Sequence, residues 1–179
     1  MDRSAINAAL LKNHEDFIAR ILAVPLDQLD VPRNGKWTPA QQLEHILRAV
    51  RPVSMALLVP KWFLRWRFGT PNRAPRDYEA LVARYSEKLA AGGRASGRFV
   101  PPAVSGSEVE RMAADLRKTV STLGHRVHAW SEEDLDRVLL PHPLLGKLTV
   151  REMLFFTIYH VRHHQTLVER DLHTEVDPR

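Results

Sequence analysis

The sequence lacks cysteine, and this absence restricts the chemistry open to the protein. Without cysteine there is no disulfide framework, no zinc site built from thiolates and no thiol nucleophile. Any metal site must therefore use histidine, aspartate or glutamate, and any thiol chemistry needs a thiol supplied from outside. A chain without disulfides also fits a reducing cytoplasm, which is the location we expect.

Long apolar runs are missing as well. A membrane-spanning helix needs roughly 18 apolar residues and a signal peptide needs an apolar centre, whereas charged residues are scattered through residues 1–20. We therefore expect a soluble, unprocessed protein. The chain has 179 residues, of which 44% are hydrophobic, and this is enough for one continuous core. Residues 1–179 are accordingly predicted to form a single domain.

Charge of one sign is not concentrated in any stripe of the sequence. The formal net charge of +5 would suit an anionic ligand, yet lysine and arginine are spread over the whole chain. Charge alone therefore does not identify a partner, and no nucleic acid partner is expected.

Four segments have the apolar spacing of amphipathic helices, and none shows the sustained alternation of a strand. The predicted helices cover about residues 4–23, 38–58, 107–130 and 149–172. The third is the clearest, because apolar residues recur every seven positions from Val109 to Trp130. The predicted fold class is all-α, with the four helices forming a bundle.

Three of these helices begin with the spacing of a capping box, in which a Ser or Thr side chain and a Glu or Gln three residues later satisfy each other's backbone N–H groups. The pairs are Thr38 with Gln41, Ser107 with Glu110 and Thr149 with Glu152. Pro39 also suits a first helical position.

A long connection, residues 59–106, joins the second and third helices. It contains five prolines, a Gly/Ser-rich stretch at 91–97 and one predicted short helix over 76–90. Such a length can carry the chain back along a bundle about 30 Å long, so the second and third helices need not be antiparallel neighbours.

Histidines cluster in the stretch "YHVRHHQTL", residues 159–167, which holds three of the nine in the chain. On a helical wheel His160 and His164 lie about 40° apart on the stripe that faces the bundle interior, and His163 lies at its edge. Two neutral imidazoles one turn apart can chelate a divalent ion. A lone pair with this spacing, however, also fits core histidines that make ordinary hydrogen bonds.

His45 is the candidate for a third ligand. It lies about 9 Å into the second helix, and His160 and His164 lie about 12–18 Å from the far end of the fourth, so antiparallel helices would bring all three to similar heights. The apolar stripe of the second helix, however, points away from His45. Geometry alone therefore leaves open a metal-binding triad and a surface histidine.

The sequence resembles the DinB/YfiT-like superfamily of bacterial proteins over nearly its whole length. The resemblance rests on Trp37, on "QLEHI" at 42–46, on "HPLLGKLTVREML" at 142–154 and on "YHVRHHQTL". It implies an up-down-down-up bundle in which His45, His160 and His164 bind a divalent metal. Ligation by histidine alone suits zinc, nickel or iron.

Relatives that the sequence resembles include thiol S-transferases that act with bacillithiol. The resemblance thus implies a metal-dependent thiol S-transferase or hydrolase, in which the metal activates a low-molecular-weight thiol or water against a small-molecule substrate. It also implies a homodimer, and apolar Ile158 is predicted on the outward side of the fourth helix. A metal-binding bundle without catalysis remains an alternative.

Several further residues are candidates around such a site. Arg48, one turn from His45, could hold a carboxylate of a thiol cofactor or simply be solvated. Glu44 and Asp171 are candidate hydrogen-bond partners of the ligand imidazoles. His142 could reach the mouth of the site, but we expect it to stabilise a turn.

The segment "VPKWFLRWRFG", residues 59–69, mixes aromatic and basic residues. One interpretation makes Trp62 and Trp66 part of the substrate pocket, as a wall or lid over the metal. A second has the segment bury its aromatics against the bundle while its charges reach solvent. A third has it dock on an anionic membrane surface or stack on single-stranded nucleic acid.

Overall fold

The computed structural model of the protein describes residues 1–173, so the last six residues of the predicted domain lie outside the described residues. Within that range the chain forms seven α-helices, one β-hairpin and short 3-10 turns. The helices are α1 (Arg3–Leu22), α2 (Pro39–Ala56), α3 (Lys61–Phe68), α4 (Tyr78–Ala90), α5 (Val109–His128), α6 (Glu132–Arg137) and α7 (Val150–His173), and the strands are β1 (Leu139–His142) and β2 (Gly146–Thr149). No helix in residues 1–173 has the length and apolarity needed to cross a membrane.

The four long helices α1, α2, α5 and α7 correspond to the four predicted from the sequence, with ends that agree to within about two residues. Each contributes large, fully buried side chains to one core, such as Phe17 from α1, Leu47 from α2, Leu116 from α5 and Phe155 from α7. Burial of each such side chain stabilises the fold by roughly 1.5–3 kcal/mol. Ile158, predicted to face outward, is buried at 2% exposure, so it offers no outward apolar surface.

Hydrogen bonds at one end of the bundle show which helix ends meet there. The Arg3 guanidinium donates to the carbonyl oxygen of Trp130 at 2.7 Å, and the Trp130 indole donates to that of Leu57 at 3.3 Å. Arg151 donates to the carbonyl oxygen of Met1 at 3.0 Å. At this end α1 and α7 therefore begin, and α2 and α5 terminate.

Two of the three predicted capping boxes form. The Gln41 backbone N–H donates to Thr38 Oγ1 at 3.2 Å while Gln41 Oε1 accepts from the Thr38 N–H at 3.0 Å. Thr149 and Glu152 exchange the same two bonds at 2.9 and 3.2 Å.

The third predicted capping box, at Ser107, is wrong. Ser107 lies inside a 3-10 turn, Gly106–Glu108, that leads into α5, and Glu108 precedes the helix without a side-chain cap. A capping residue needs a non-helical backbone, which Ser105 has and Ser107 lacks. Ser105 accordingly accepts from the Ser107 N–H at 3.3 Å.

The expectation of no strand is also corrected, because β1 and β2 pair as an antiparallel hairpin with Leu139 opposite Thr149. Each strand has four residues, which is too short for a detectable alternation. His142 stabilises the turn as expected, since its Nδ1 accepts from the N–H groups of Leu144 and Leu145 at 3.2 and 3.0 Å. The hairpin leads directly into α7.

The connection after α3 is bound to the start of α7 by an ion-pair cluster around Glu152, whose side chain is fully buried. Its carboxylate accepts from the Arg73 guanidinium at 2.6 and 2.8 Å and from the Arg76 backbone N–H at 2.8 Å. Beyond this cluster α4, which matches the short helix predicted over 76–90, packs on α7 through Leu81 and Tyr85.

Candidate metal centre

Three histidines from two helices converge inside the bundle. Nε2 of His160 lies 3.2 Å from Nε2 of His45 and 3.1 Å from Nε2 of His164. One ligand atom from each ring lies within 4.8 Å of the others, and all three side chains are buried. The convergence follows from the helix ends described above: His45 is eleven residues before Ala56 and His160 ten residues after Val150, which places both about 16 Å from the same end of the bundle.

The second nitrogen of two of these rings is held by an oxygen acceptor. His45 Nδ1 lies 2.7 Å from the carbonyl oxygen of Phe99, and His164 Nδ1 lies 2.5 Å from Gln42 Oε1. Because both partners accept, each Nδ1 carries the proton and each Nε2 is left with a bare lone pair. The two lone pairs point toward His160 Nε2, which can donate a proton to only one of them. A cation at the point where the rings converge would satisfy all three nitrogens, so the donor set fits a metal ion.

Burial keeps these imidazoles neutral. It lowers the pKa of His45, partly offset by the hydrogen bond to Phe99, and the pKa values of His160 and His164 fall well below the ordinary range. The neighbouring histidines lower those of His160 and His164 further, because each would repel a second positive charge. Neutral imidazole is the form that binds metal, so ligation needs no proton release near pH 7.

Aromatic rings contact each of the three histidines. Trp37 lies 5.0 Å from the His45 ring and stacks 6.3 Å from that of His164, while Phe156 stacks 4.7 Å from that of His160. The Tyr85 ring meets His160 edge-on at 6.1 Å, and burial raises the pKa of Tyr85 to about 12, so its phenol stays protonated. These rings exclude water from most of the site, which strengthens electrostatic interactions inside it.

His163 stands beside the triad and not in it. Its ring meets that of His164 edge-on at 5.3 Å and stacks on Tyr159 at 6.3 Å. The structure thus places His163 at the edge of the interior stripe, as the helical wheel predicts.

The polar residues nominated as imidazole partners have other contacts. Glu44 and Arg48 form an ion pair at 2.6 Å, and Arg48 also donates to the carbonyl oxygen of Arg98 at 3.1 Å. Asp171 pairs with Arg170 at 2.7 Å. The observed partners of the ligand rings are instead Gln42 and the backbone of Phe99. Gln42 precedes His45 by three residues and so lies on the same helix face. This spacing is visible in the sequence and could identify Gln42 as a candidate partner of a metal ligand.

The structure does not bring Trp62 and Trp66 together with the histidines. Both lie on α3, where they are 69% and 74% exposed, and neither is among the rings that contact the triad in residues 1–173. The interpretation in which this segment buries its aromatics against the bundle is therefore wrong for Trp62 and Trp66, whereas Phe68 is partly buried and packs against the core.

Comparisons with known proteins agree with this architecture. The sequence profile of a family described as the DinB superfamily matches residues 9–168. The solved structure of YfiT from Bacillus subtilis, described as a probable metal-dependent hydrolase with an unusual four-helix bundle topology, is similar with a TM-score of 0.61. The two chains share 16% sequence identity, and the similarity covers 97% of this chain and 89% of that one, which shows a common fold. No curated protein sequence matches the chain significantly.

Proposed function

Because this chain belongs to the DinB superfamily, whose profile matches residues 9–168, we propose that it is a divalent-metal-dependent enzyme with hydrolase or thiol S-transferase chemistry. The observation that carries the proposal is the convergence of His45, His160 and His164 on one point. In this proposal the three Nε2 atoms hold one metal ion, and zinc, nickel or iron suits such ligands.

When bound, the ion would lower the pKa of a water or thiol at its open coordination position and so supply a nucleophile near neutral pH. The protein's own residues prepare that position. Gln42 and the Phe99 carbonyl hold two imidazoles in the tautomer that leaves Nε2 free. Trp37, Phe156 and Tyr85 supply an apolar wall against which a small-molecule substrate can lie.

Either nucleophile, water or a thiol, would come from outside the chain, because the chain contains no cysteine. A thiol transferase of this kind would use a low-molecular-weight thiol, and Arg48 is our candidate to hold a carboxylate of it. Arg48 lies one turn from His45, but its pairing with Glu44 means that the thiol would have to compete with that ion pair. Arg48→Ala should then raise the KM for the thiol and leave the metal content unchanged.

The quaternary structure and the path of the helices complete the proposal. An up-down-down-up path is supported by the contacts that gather the starts of α1 and α7 with the ends of α2 and α5. A homodimer is proposed from the resemblance alone. A monomer mass in solution scattering across a broad concentration range would reject it.

The test is an activity screen on metal-loaded protein with ester and amide substrates and with thiol–electrophile pairs. Turnover should disappear with a chelator, return when the metal is restored and be absent in His160→Ala. If the metal binds but none of these substrate classes turns over, the result favours the alternative of a non-catalytic metal-binding bundle.

A further inference from the structure

Helix α3 is fixed to the bundle by one side. Its Leu64 is buried at 3% exposure, and the cations of Lys61 and Arg65 both pair with Asp134, at 2.5 and 2.7 Å. The Lys61 ammonium also lies 5.0 Å from the centroid of the Trp130 ring. Lys61 and Arg65, whose side chains are 34% and 39% exposed, thus hold the helix against the bundle through Asp134 and set its orientation, while Arg67 is exposed.

The other side of α3 presents large apolar side chains to solvent. Trp62 and Trp66 are 69% and 74% exposed and Phe63 is 38% exposed, while Met55 and Leu58, where α2 ends, are 67% and 63% exposed. We call the three packed rings of Trp62, Phe63 and Trp66 the aromatic face. Aromatic side chains have roughly 150–250 Å² each, so at these exposed fractions the face presents on the order of 400 Å² of apolar surface. That is in the range of the largest apolar patch on a typical monomeric protein, and patches of this size are often functional.

Positive charge lies beside the aromatic face. Residues 45–76 contain seven lysines and arginines and no acidic residue, and four of the seven pair with carboxylates other than Asp134, namely Arg48, Arg51, Arg73 and Arg76. Asp134 is shared by Lys61 and Arg65, so that trio keeps a net positive charge. Arg67 lies over the Phe68 ring, and Lys147 donates to the Phe68 carbonyl oxygen at 2.7 Å. The partner of this face must therefore tolerate apolar insertion and carry negative charge beside the point of insertion.

We propose that the aromatic face docks on an anionic phospholipid surface. Tryptophan flanked by lysine and arginine is the composition of membrane-interface segments, where the rings sit at the headgroup level and the cations meet anionic lipids. Two other occupants fit less well. A second copy of the chain would bring two positively charged regions together in a symmetric pair. Single-stranded nucleic acid needs a basic groove that follows its backbone beside the stacking rings, whereas these rings stand on one side of the eight-residue helix α3.

The aromatic face lies away from the metal centre. Eleven residues of α2, about 16 Å, separate His45 from Ala56, after which the chain enters α3. Lipid docking would hold one end of the bundle at the surface and leave the histidines unobstructed. The proposal therefore stands or fails independently of the catalytic one.

The experiment is co-sedimentation of the full chain with vesicles of phosphatidylcholine alone and of phosphatidylcholine mixed with phosphatidylglycerol. The wild type should bind the mixed vesicles, more weakly as salt is raised, and brominated lipids should quench its tryptophan fluorescence. The double variant Trp62→Ala/Trp66→Ala should bind at least tenfold more weakly and lose the quenching, although Trp37 and Trp130 remain. Leu26→Ala, a matched control at a residue 68% exposed between α1 and α2, should bind like the wild type.

Several results would overturn the proposal. The first is no binding to mixed vesicles, and the second is equal binding by the wild type and the double variant. A wild-type dimer that the double variant converts to a monomer would show that the face pairs two copies. Normal vesicle binding by the double variant with lost substrate turnover would assign Trp62 and Trp66 to the substrate pocket.

Discussion

Gln42 is predicted to control metal affinity through His164. In the structure Gln42 Oε1 accepts from His164 Nδ1 at 2.5 Å, and both side chains are buried. Gln42→Met keeps the length and volume of the side chain but removes this acceptor.

Gln42→Met should destabilise the metal-bound state more than the metal-free state. Without metal, His164 can move its proton to Nε2 and share it with His160 Nε2, 3.1 Å away. With metal, Nε2 must be bare, so the proton stays on Nδ1 and has no acceptor. A buried donor without a partner costs about 1–3 kcal/mol. A tenfold change in affinity corresponds to about 1.4 kcal/mol, so the metal affinity is predicted to fall roughly 5- to 150-fold. Losses of about this size are usual when the hydrogen-bond partner of a metal-binding histidine is removed.

Competition between the protein and a coloured chelator for zinc at pH 7 measures this difference. The control is Glu44→Gln, which removes a charge one residue from His45 but touches no ligand imidazole, and it should match the wild type. An affinity of Gln42→Met within about threefold of the wild type, or an equal loss in Glu44→Gln, would refute the reasoning.

Two other buried groups give predictions about stability. Burial lowers the pKa of His14 to about 4 from an ordinary value of 6.5, so the unfolded state binds more protons between these values. The contribution of His14 to the free energy of unfolding is therefore complete above about pH 6.5 and falls by about 3 kcal/mol by pH 4. Urea titrations at pH 7 and pH 4 should show a smaller loss of stability on acidification for His14→Leu than for the wild type, and equal losses in the two proteins would contradict this. Burial alone would raise the pKa of Glu152, but hydrogen bonds from Arg73 and the Arg76 and Thr149 N–H groups outweigh it and lower it. Glu152→Gln should therefore cost about 2–4 kcal/mol at pH 7 in urea unfolding, and a change below about 0.5 kcal/mol would contradict the buried ion pair.

The four long helices could be predicted because their signals are local and repeated. The seven-residue spacing from Val109 to Trp130 and the Thr38 and Thr149 capping boxes all lie within one helix. The spacing of His160 and His164 likewise follows from one helical turn. These features need no knowledge of the rest of the chain.

The remainder depends on contacts between residues far apart in sequence. Phe99 is 54 positions from His45, and its carbonyl reaches that ring only because the long connection folds back over α2. The orientation of α3 does not follow from its own residues because it is set by Asp134, about 70 residues away in the sequence. Local spacing shows that α3 has two different sides but does not show which side faces the bundle.

The central claim is that His45, His160 and His164 bind one metal ion, and metal content tests it most directly. The wild type, His45→Ala, His160→Ala and His163→Ala are purified, freed of any tag, loaded with excess zinc, dialysed and analysed for metal, with circular dichroism to verify folding. We predict about one ion per chain in the wild type and in His163→Ala, and a loss of binding in His45→Ala and His160→Ala. Equal metal content and affinity in all four proteins would contradict the account.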